Sequence, residues 1–104
     1  MQESRYTLRY LPKYVEDINK IVDYIIHELK NVTAANSFVD EVEKAICKRL
    51  NNPESFEPYK SAKDRKNTYY RIQVKNFTIF YVVIEDVIEV RRIIYSRRDL
   101  TKLL

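Results

Sequence analysis

The stretch Tyr69-Tyr70-Arg71-Ile72-Gln73-Val74-Lys75-Asn76-Phe77-Thr78-Ile79-Phe80-Tyr81-Val82-Val83-Ile84-Glu85-Asp86-Val87-Ile88-Glu89-Val90-Arg91-Arg92-Ile93-Ile94-Tyr95 decides the fold. It is rich in the β-branched and aromatic residues that suit a pleated surface, and two polar pairs, Lys75-Asn76 and Glu85-Asp86, interrupt it. Breaks that short leave room only for tight hairpins, so the spacing predicts an antiparallel meander of strands 69–75, 77–85 and 87–95. In the first strand Tyr70, Ile72 and Val74 alternate with Tyr69, Arg71, Gln73 and Lys75, the pattern of a sheet buried on one face. The second is apolar on both faces, as a central strand is. The third sets Ile88, Val90 and Ile94 among Arg91 and Arg92. The chain contains no Gly, so Asn76 is the expected occupant of the positive-φ turn position.

Upstream, Arg5-Tyr6-Thr7-Leu8-Arg9-Tyr10 alternates as a short strand. Pro12 then opens a helix to about Lys30, on which Val15, Ile18, Val22, Ile25 and Leu29 recur at helical spacing. Asn31 suits the end of that helix. Thr33 suits the N-cap of a second one carrying Ala35, Phe38, Val42, Ala45, Ile46 and Leu50. The short link folds the two helices into an antiparallel hairpin whose apolar stripes need a sheet to cover them. Residues 51–68 lack periodicity and read as a surface loop. A short helix over 98–104 would return Leu100, Leu103 and Leu104 to the body. The expected architecture is one α+β domain: an N-terminal strand, a helix hairpin on one face of a mainly antiparallel four-stranded sheet, and a short C-terminal helix.

A chain of 104 residues supports one core of two packed layers. The absence of Gly excludes a P-loop and a dinucleotide-binding fingerprint. One Cys and one His leave no disulfide framework, no Cys/His metal cluster and little basis for a nucleophilic triad, so neither metal nor cofactor is expected. Cys47 and His27 read as ordinary helix residues, and Asp40, Glu41 and Glu43 as a solvated helix face. No run is apolar and long enough for a signal or a membrane span, which points to a cytoplasmic protein. The formal charge of +4 is unevenly distributed. Through Tyr59, 8 Lys and Arg stand against 10 Asp and Glu; from Lys60 onward the ratio is 11 to 5. A basic half of this kind favours a polyanion or an acidic protein as partner.

The remaining chemistry lies in the cations and aromatics of the meander and tail. Arg71, Gln73, Lys75, Arg91, Arg92, Arg97 and Arg98, beside Tyr69, Tyr81 and Tyr95, form a set that can pair with phosphates and stack on unpaired bases. The same set also suits a solvated sheet face.

The element order, with Ala34-Ala35 and Phe38 on the second helix, Tyr70-Arg71-Ile72, Phe80-Tyr81-Val82-Val83 and the ending Arg92-Ile93-Ile94-Tyr95-Ser96-Arg97-Arg98-Asp99-Leu100, resembles the RelE/ParE toxin superfamily of bacterial type II toxin–antitoxin modules. The resemblance covers nearly the whole chain. It implies a toxin that arrests growth, is neutralised by a cognate antitoxin in a hetero-oligomer, and targets either mRNA on the ribosome, as a metal-free endoribonuclease, or DNA gyrase. Under it, Arg71 and Arg98 match the family's basic residues. Gln73 stands where Lys is expected, Thr78 where Arg is expected, and the C-terminal aromatic or His of the nuclease branch falls at or beyond Leu104. As a nuclease, the chain would use Arg71 and Arg98 on the scissile phosphate and Tyr95 for stacking or proton transfer, with Gln73, Lys75, Arg91, Arg92 and Arg97 as binding residues. The long helix hairpin and the Arg97-Arg98-Asp99 ending are closer to the ParE branch. The departures at Thr78 and Leu104 leave open an inactive relative that only binds its partner.

Overall fold

A computed structural model describes residues 5–59 and 66–98. The elements run β1 (Thr7–Tyr10), α1 (Pro12–His27), α2 (Val32–Cys47), β2 (Pro58–Tyr59), β3 (Tyr69–Val74), β4 (Phe77–Ile84) and β5 (Val87–Tyr95). The sheet has five strands in the order β1-β5-β4-β3-β2. The meander pairs antiparallel as expected, with β4 at its centre, and β1 lies parallel to β5 from Thr7 opposite Val87 to Tyr10 opposite Val90. The fifth strand, β2, is a two-residue pairing of Pro58 and Tyr59 with Tyr70 and Tyr69, inside the segment expected to be loop. It is too short to carry a hydrophobic period. The expected C-terminal helix lies outside the described residues, apart from Arg98.

Pro at the first turn starts α1 directly after β1, and the Leu11 N–H is tied to the Val90 carbonyl at 3.0 Å. The apolar stripe that α1 turns inward is Tyr14, Ile18, Ile21 and Ile25; Val15 and Leu29 of the expected stripe are exposed. Tyr14 displaces Val15 because its ring is long enough to reach the sheet, where it stacks on Tyr10 with centroids 5.3 Å apart. Helix α2 buries Ala35, Phe38, Val42 and Ile46, as its periodicity predicts. These two stripes pack on Tyr70, Ile72, Val74, Ile79, Tyr81, Ile88, Val90 and Ile93. Each such side chain fully buried contributes roughly 1.5–3 kcal/mol, which identifies this layer as the principal core. Tyr81 donates to the Pro53 carbonyl at 2.7 Å and accepts from Arg49 at 2.9 Å, so its buried hydroxyl fixes the chain that leaves α2.

Asn31, not Thr33, caps α2: its Oδ1 accepts the Ala34 N–H at 2.9 Å. The left-handed turn between the helices falls on Lys30, at φ 51°. In the sheet the positive-φ positions are Lys75, at 51°, and Glu85, at 54°, so Asn76 does not play the role expected of it. Both two-residue hairpins thus place positive φ at their first central position, on side chains with a Cβ. That conformation costs a residue other than Gly about 1 kcal/mol. Glu85→Gly is therefore expected to stabilise the fold by about 1 kcal/mol in urea denaturation, less what glycine adds to the freedom of the unfolded chain.

Strand β5 carries a bulge between the pairs Phe80–Arg92 and Tyr81–Val90. Arg91 is the extra residue, and the slip lets Val90 and Ile93, an odd number of positions apart, both enter the helix-covered core. Ile94 consequently passes to the other face, where it packs with Tyr69, Phe80 and Val82.

Candidate cationic sheet face

The face of the sheet turned away from the helices carries Arg71, Gln73 and Arg91 of the candidate residues. Its centre is the second apolar cluster, in which Phe80 is flanked by the rings of Tyr59 and Tyr69 at 5.2 and 6.5 Å. Arg71 is exposed on β3, with its guanidinium 5.2 Å from the Tyr59 ring centroid. A cation over an aromatic face gains electrostatic attraction while its outer N–H groups stay available to an anion.

Across the sheet, the β5 bulge sends two adjacent guanidinium groups in different directions. Arg91 donates to Glu89 at 2.8 Å and to the Tyr69 hydroxyl at 2.9 Å. Glu89 also accepts a two-pronged contact from Arg9, at 2.7 and 3.1 Å. Burial pushes the Glu89 carboxyl up, but hydrogen bonds and charge from Arg91 and Arg9 outweigh it and hold the group below the usual carboxylate range. Arg92 turns instead to α1, where Asp17 accepts its Nε and Nη2 at 2.7 and 3.0 Å and the Ile93 N–H at 3.2 Å. Both arginines expected to meet a ligand thus hold carboxylates of this chain. Arg9, Asp17 and Glu89 carried no sequence signal of these roles.

Gln73 and Thr78, the two departures from the superfamily's basic pattern, are directly opposite each other on β3 and β4. Thr78 donates to Gln73 Oε1 at 3.0 Å, Gln73 Nε2 donates to Ser96 Oγ at 2.9 Å, and the Thr78 and Ser96 hydroxyls are 2.7 Å apart. The one hydroxyl proton of Thr78 is committed to Gln73, so Ser96 donates to Thr78 and the three side chains close a ring. The second Gln73 proton goes to the Lys75 carbonyl at 2.8 Å. Two cations expected at the middle of the face are replaced by a neutral network that satisfies itself.

Tyr95 lies on the opposite face from Arg71. It pairs with Phe77 across the sheet, their ring centroids are 5.7 Å apart, and Phe77 packs on Phe38 of α2. Tyr95 and Arg98 line a cavity of about 150 Å³ together with Asp17, Lys20 and Arg92, which brings in Lys20 from α1. Arg97 and Arg98 are exposed and make no ion pair among the described residues. Lys75 is 3.6 Å from Glu41. The fold therefore brings Tyr95 and Arg98 together and leaves Arg71 apart from them. Among the described residues no helix is long and apolar enough to cross a membrane, and no His, Cys, Asp and Glu side chains group to hold a metal.

The family model of the ParE toxin, from the type II toxin–antitoxin system parDE, matches residues 8–100. The chain belongs to the ParE toxin family. The match spans every element from β1 to β5, so the family resemblance of the sequence holds for the whole fold. Among solved structures, a chain of the chromosomal ParDE system from P. aeruginosa superposes with a TM-score of 0.72 at 13% identity, covering 91% of this chain and 100% of that one. At that identity the likeness is one of fold. The RelB-RelE antitoxin-toxin complex from Methanococcus jannaschii is more distant, with a TM-score of 0.46 at 22% identity over 85% of this chain and 89% of that chain. No curated protein sequence matches the chain.

Proposed function

We propose that this ParE-family chain is the toxin of a type II module, that a cognate antitoxin neutralises it, and that it arrests growth by binding its target without cutting nucleic acid. The observation that carries this reading is the neutral Gln73–Thr78–Ser96 ring. A metal-free ribonuclease needs fixed cations around the transferring phosphate, because charge accumulates there in the transition state. Here the two central positions offer hydroxyl and amide groups already engaged with one another. The separation of Arg71 from Tyr95 by the thickness of the sheet adds to this, since one phosphate cannot meet both. DNA gyrase is the target that the ParE branch implies, with Arg97 and Arg98 as contact residues at the end of β5. Arg71 presents a second contact on the open face.

Pulse labelling of DNA and protein synthesis, minutes after tightly controlled expression in bacteria, tests the reading. DNA synthesis is expected to fall first, and Arg98→Ala to blunt the fall. An earlier fall in protein synthesis would replace this reading with mRNA cleavage on the ribosome. Continued growth with both syntheses intact would leave an interaction module.

A further inference from the structure

Where β1 runs into α1, Tyr10 and Tyr14 stand four residues apart, and their rings stack with centroids 5.3 Å apart. The pair lines a cavity of about 210 Å³ between the two helices. Val15 and Ile18 of α1 bound it on one side, and Val39, Val42 and Glu43 of α2 on the other. Each set falls on one helix face, because residues three and four apart lie one above another. The cavity is smaller than those that hold drug-sized molecules, so it suits a compact ligand.

Three polar groups meet in this apolar setting. Tyr14 is only 6% exposed, yet its hydroxyl makes no hydrogen bond among the described residues. Every fully enclosed side-chain polar atom of those residues has a partner, so this hydroxyl is not fully enclosed. It opens into the cavity that its ring lines. The side chains of Tyr10 and Glu43 are exposed and likewise make no hydrogen bond or ion pair among the described residues. Burial is the main cause that pushes both phenols up, and the Glu43 charge adds to it at each. The carboxylate is thus within electrostatic reach of both hydroxyls, which stay protonated at neutral pH. Among the described residues that line the cavity there is no Lys or Arg.

We propose that this cavity binds a small organic amine in its cationic form, with the ammonium among Glu43, Tyr10 and Tyr14 and the hydrocarbon body against Val15, Ile18, Val39 and Val42. An ammonium has three N–H donors and no acceptor, which matches one carboxylate and two phenol oxygens that no other donor occupies. Its charge meets Glu43, and its body removes apolar wall from water. A carboxylate or phosphate ligand would meet the same Glu43 with no cation beside it to offset the repulsion. Because the lining comes from β1, α1 and α2, a bound amine ties these elements together and raises the Tm. The site contains none of Arg71, Arg97 and Arg98, so it stands independently of the toxin reading.

The test is a titration of the full chain, labelled on its Ile and Val methyl groups, with 2-phenylethylammonium, followed by NMR. Saturable shifts are expected at Ile18, Val39 and Val42, with a rise in Tm. The alcohol 2-phenylethanol has the same shape without the charge and is expected to bind about fivefold more weakly, and phenylacetate not at all. Because Glu43 is exposed, Glu43→Gln is expected to keep the Tm of the parent chain, to weaken amine binding about fivefold and to leave the alcohol unaffected. Tyr14→Phe keeps the stacked ring and is expected to weaken amine binding about threefold. No saturable shift at these methyl groups, equal binding of the alcohol or of phenylacetate, or undiminished amine binding by Glu43→Gln would overturn the proposal. So would binding of a lysine-containing peptide where the free amine fails, which would assign the cavity to a side chain of a protein partner.

Discussion

Asp17→Ala is expected to lower stability by about 3 kcal/mol, on the order of 15 °C in Tm for a domain of this size. The carboxylate accepts three N–H groups, two from Arg92 and one from Ile93, and its side chain is only 10% exposed. Removing it leaves a guanidinium, itself 19% exposed, against the α1–β5 seam without this counter-charge. The amide of Asp17→Asn can still accept one of these bonds, so that variant is expected to lose about half as much. Urea denaturation of the purified proteins reads both. A loss below about 1 kcal/mol for Asp17→Ala would mean that water replaces the carboxylate at the seam. Because Arg92 also lines the cavity shared by Tyr95 and Arg98, the pair couples the stability of the fold to the shape of that cavity.

The second large effect is expected at Glu89, whose side chain is 8% exposed between Arg9 and Arg91. Glu89→Ala brings two guanidinium groups together without the charge that separates them and is expected to cost about 3 kcal/mol at neutral pH, tempered by the half-exposed Arg9. The effect carries a pH signature. The carboxyl titrates below its ordinary value of 4.5 in the folded chain. It therefore contributes stability at pH above the unfolded value and loses that contribution as the pH falls through the folded one. The stability difference between the parent chain and Glu89→Gln should be full near neutrality and shrink below about pH 4.5. A difference that stays constant down to pH 2 would show that packing, not charge, makes the contribution of Glu89.

Much of the fold is legible in the sequence because its signals are local. The meander follows from two polar pairs in an apolar run, α1 from Pro12 and a helical period, and α2 from Ala35, Phe38, Val42 and Ile46. What escaped depends on distant partners. Nothing near Pro58 and Tyr59 announces a strand, since a two-residue pairing is defined by Tyr69 and Tyr70. Asn31 competes with Thr33 for the cap, and the choice depends on how Lys30 turns the chain. The β5 bulge had a readable trace in the odd spacing of Val90 and Ile93, but that spacing also fits an uninterrupted strand buried on both faces.

The candidate site was less legible for the same reason. Residue types were sufficient to nominate arginines but not to tell which of them answer to carboxylates of this chain. Arg91 and Arg92 are neighbours in sequence, yet one serves the open face and the other α1. Gln73 and Thr78 looked like two separate losses from a family pattern. Together with Ser96 they form one device, and only the cross-strand register reveals it.

The parallel pairing of β1 with β5 also governs when the protein can exist during its own synthesis. Arg9 and Glu89, partners in that pairing, are 80 residues apart in the chain. At a ribosomal rate of roughly 5–20 residues per second, Arg9 waits about 4–16 seconds for Glu89 to be made. Until then the first strand has no neighbour, the Glu89 carboxylate that anchors two arginines is missing, and the sheet lacks the strand next to its centre. Most of the chain is thus translated before its sheet can close, and a partner already present has that interval in which to be waiting when β5 completes it.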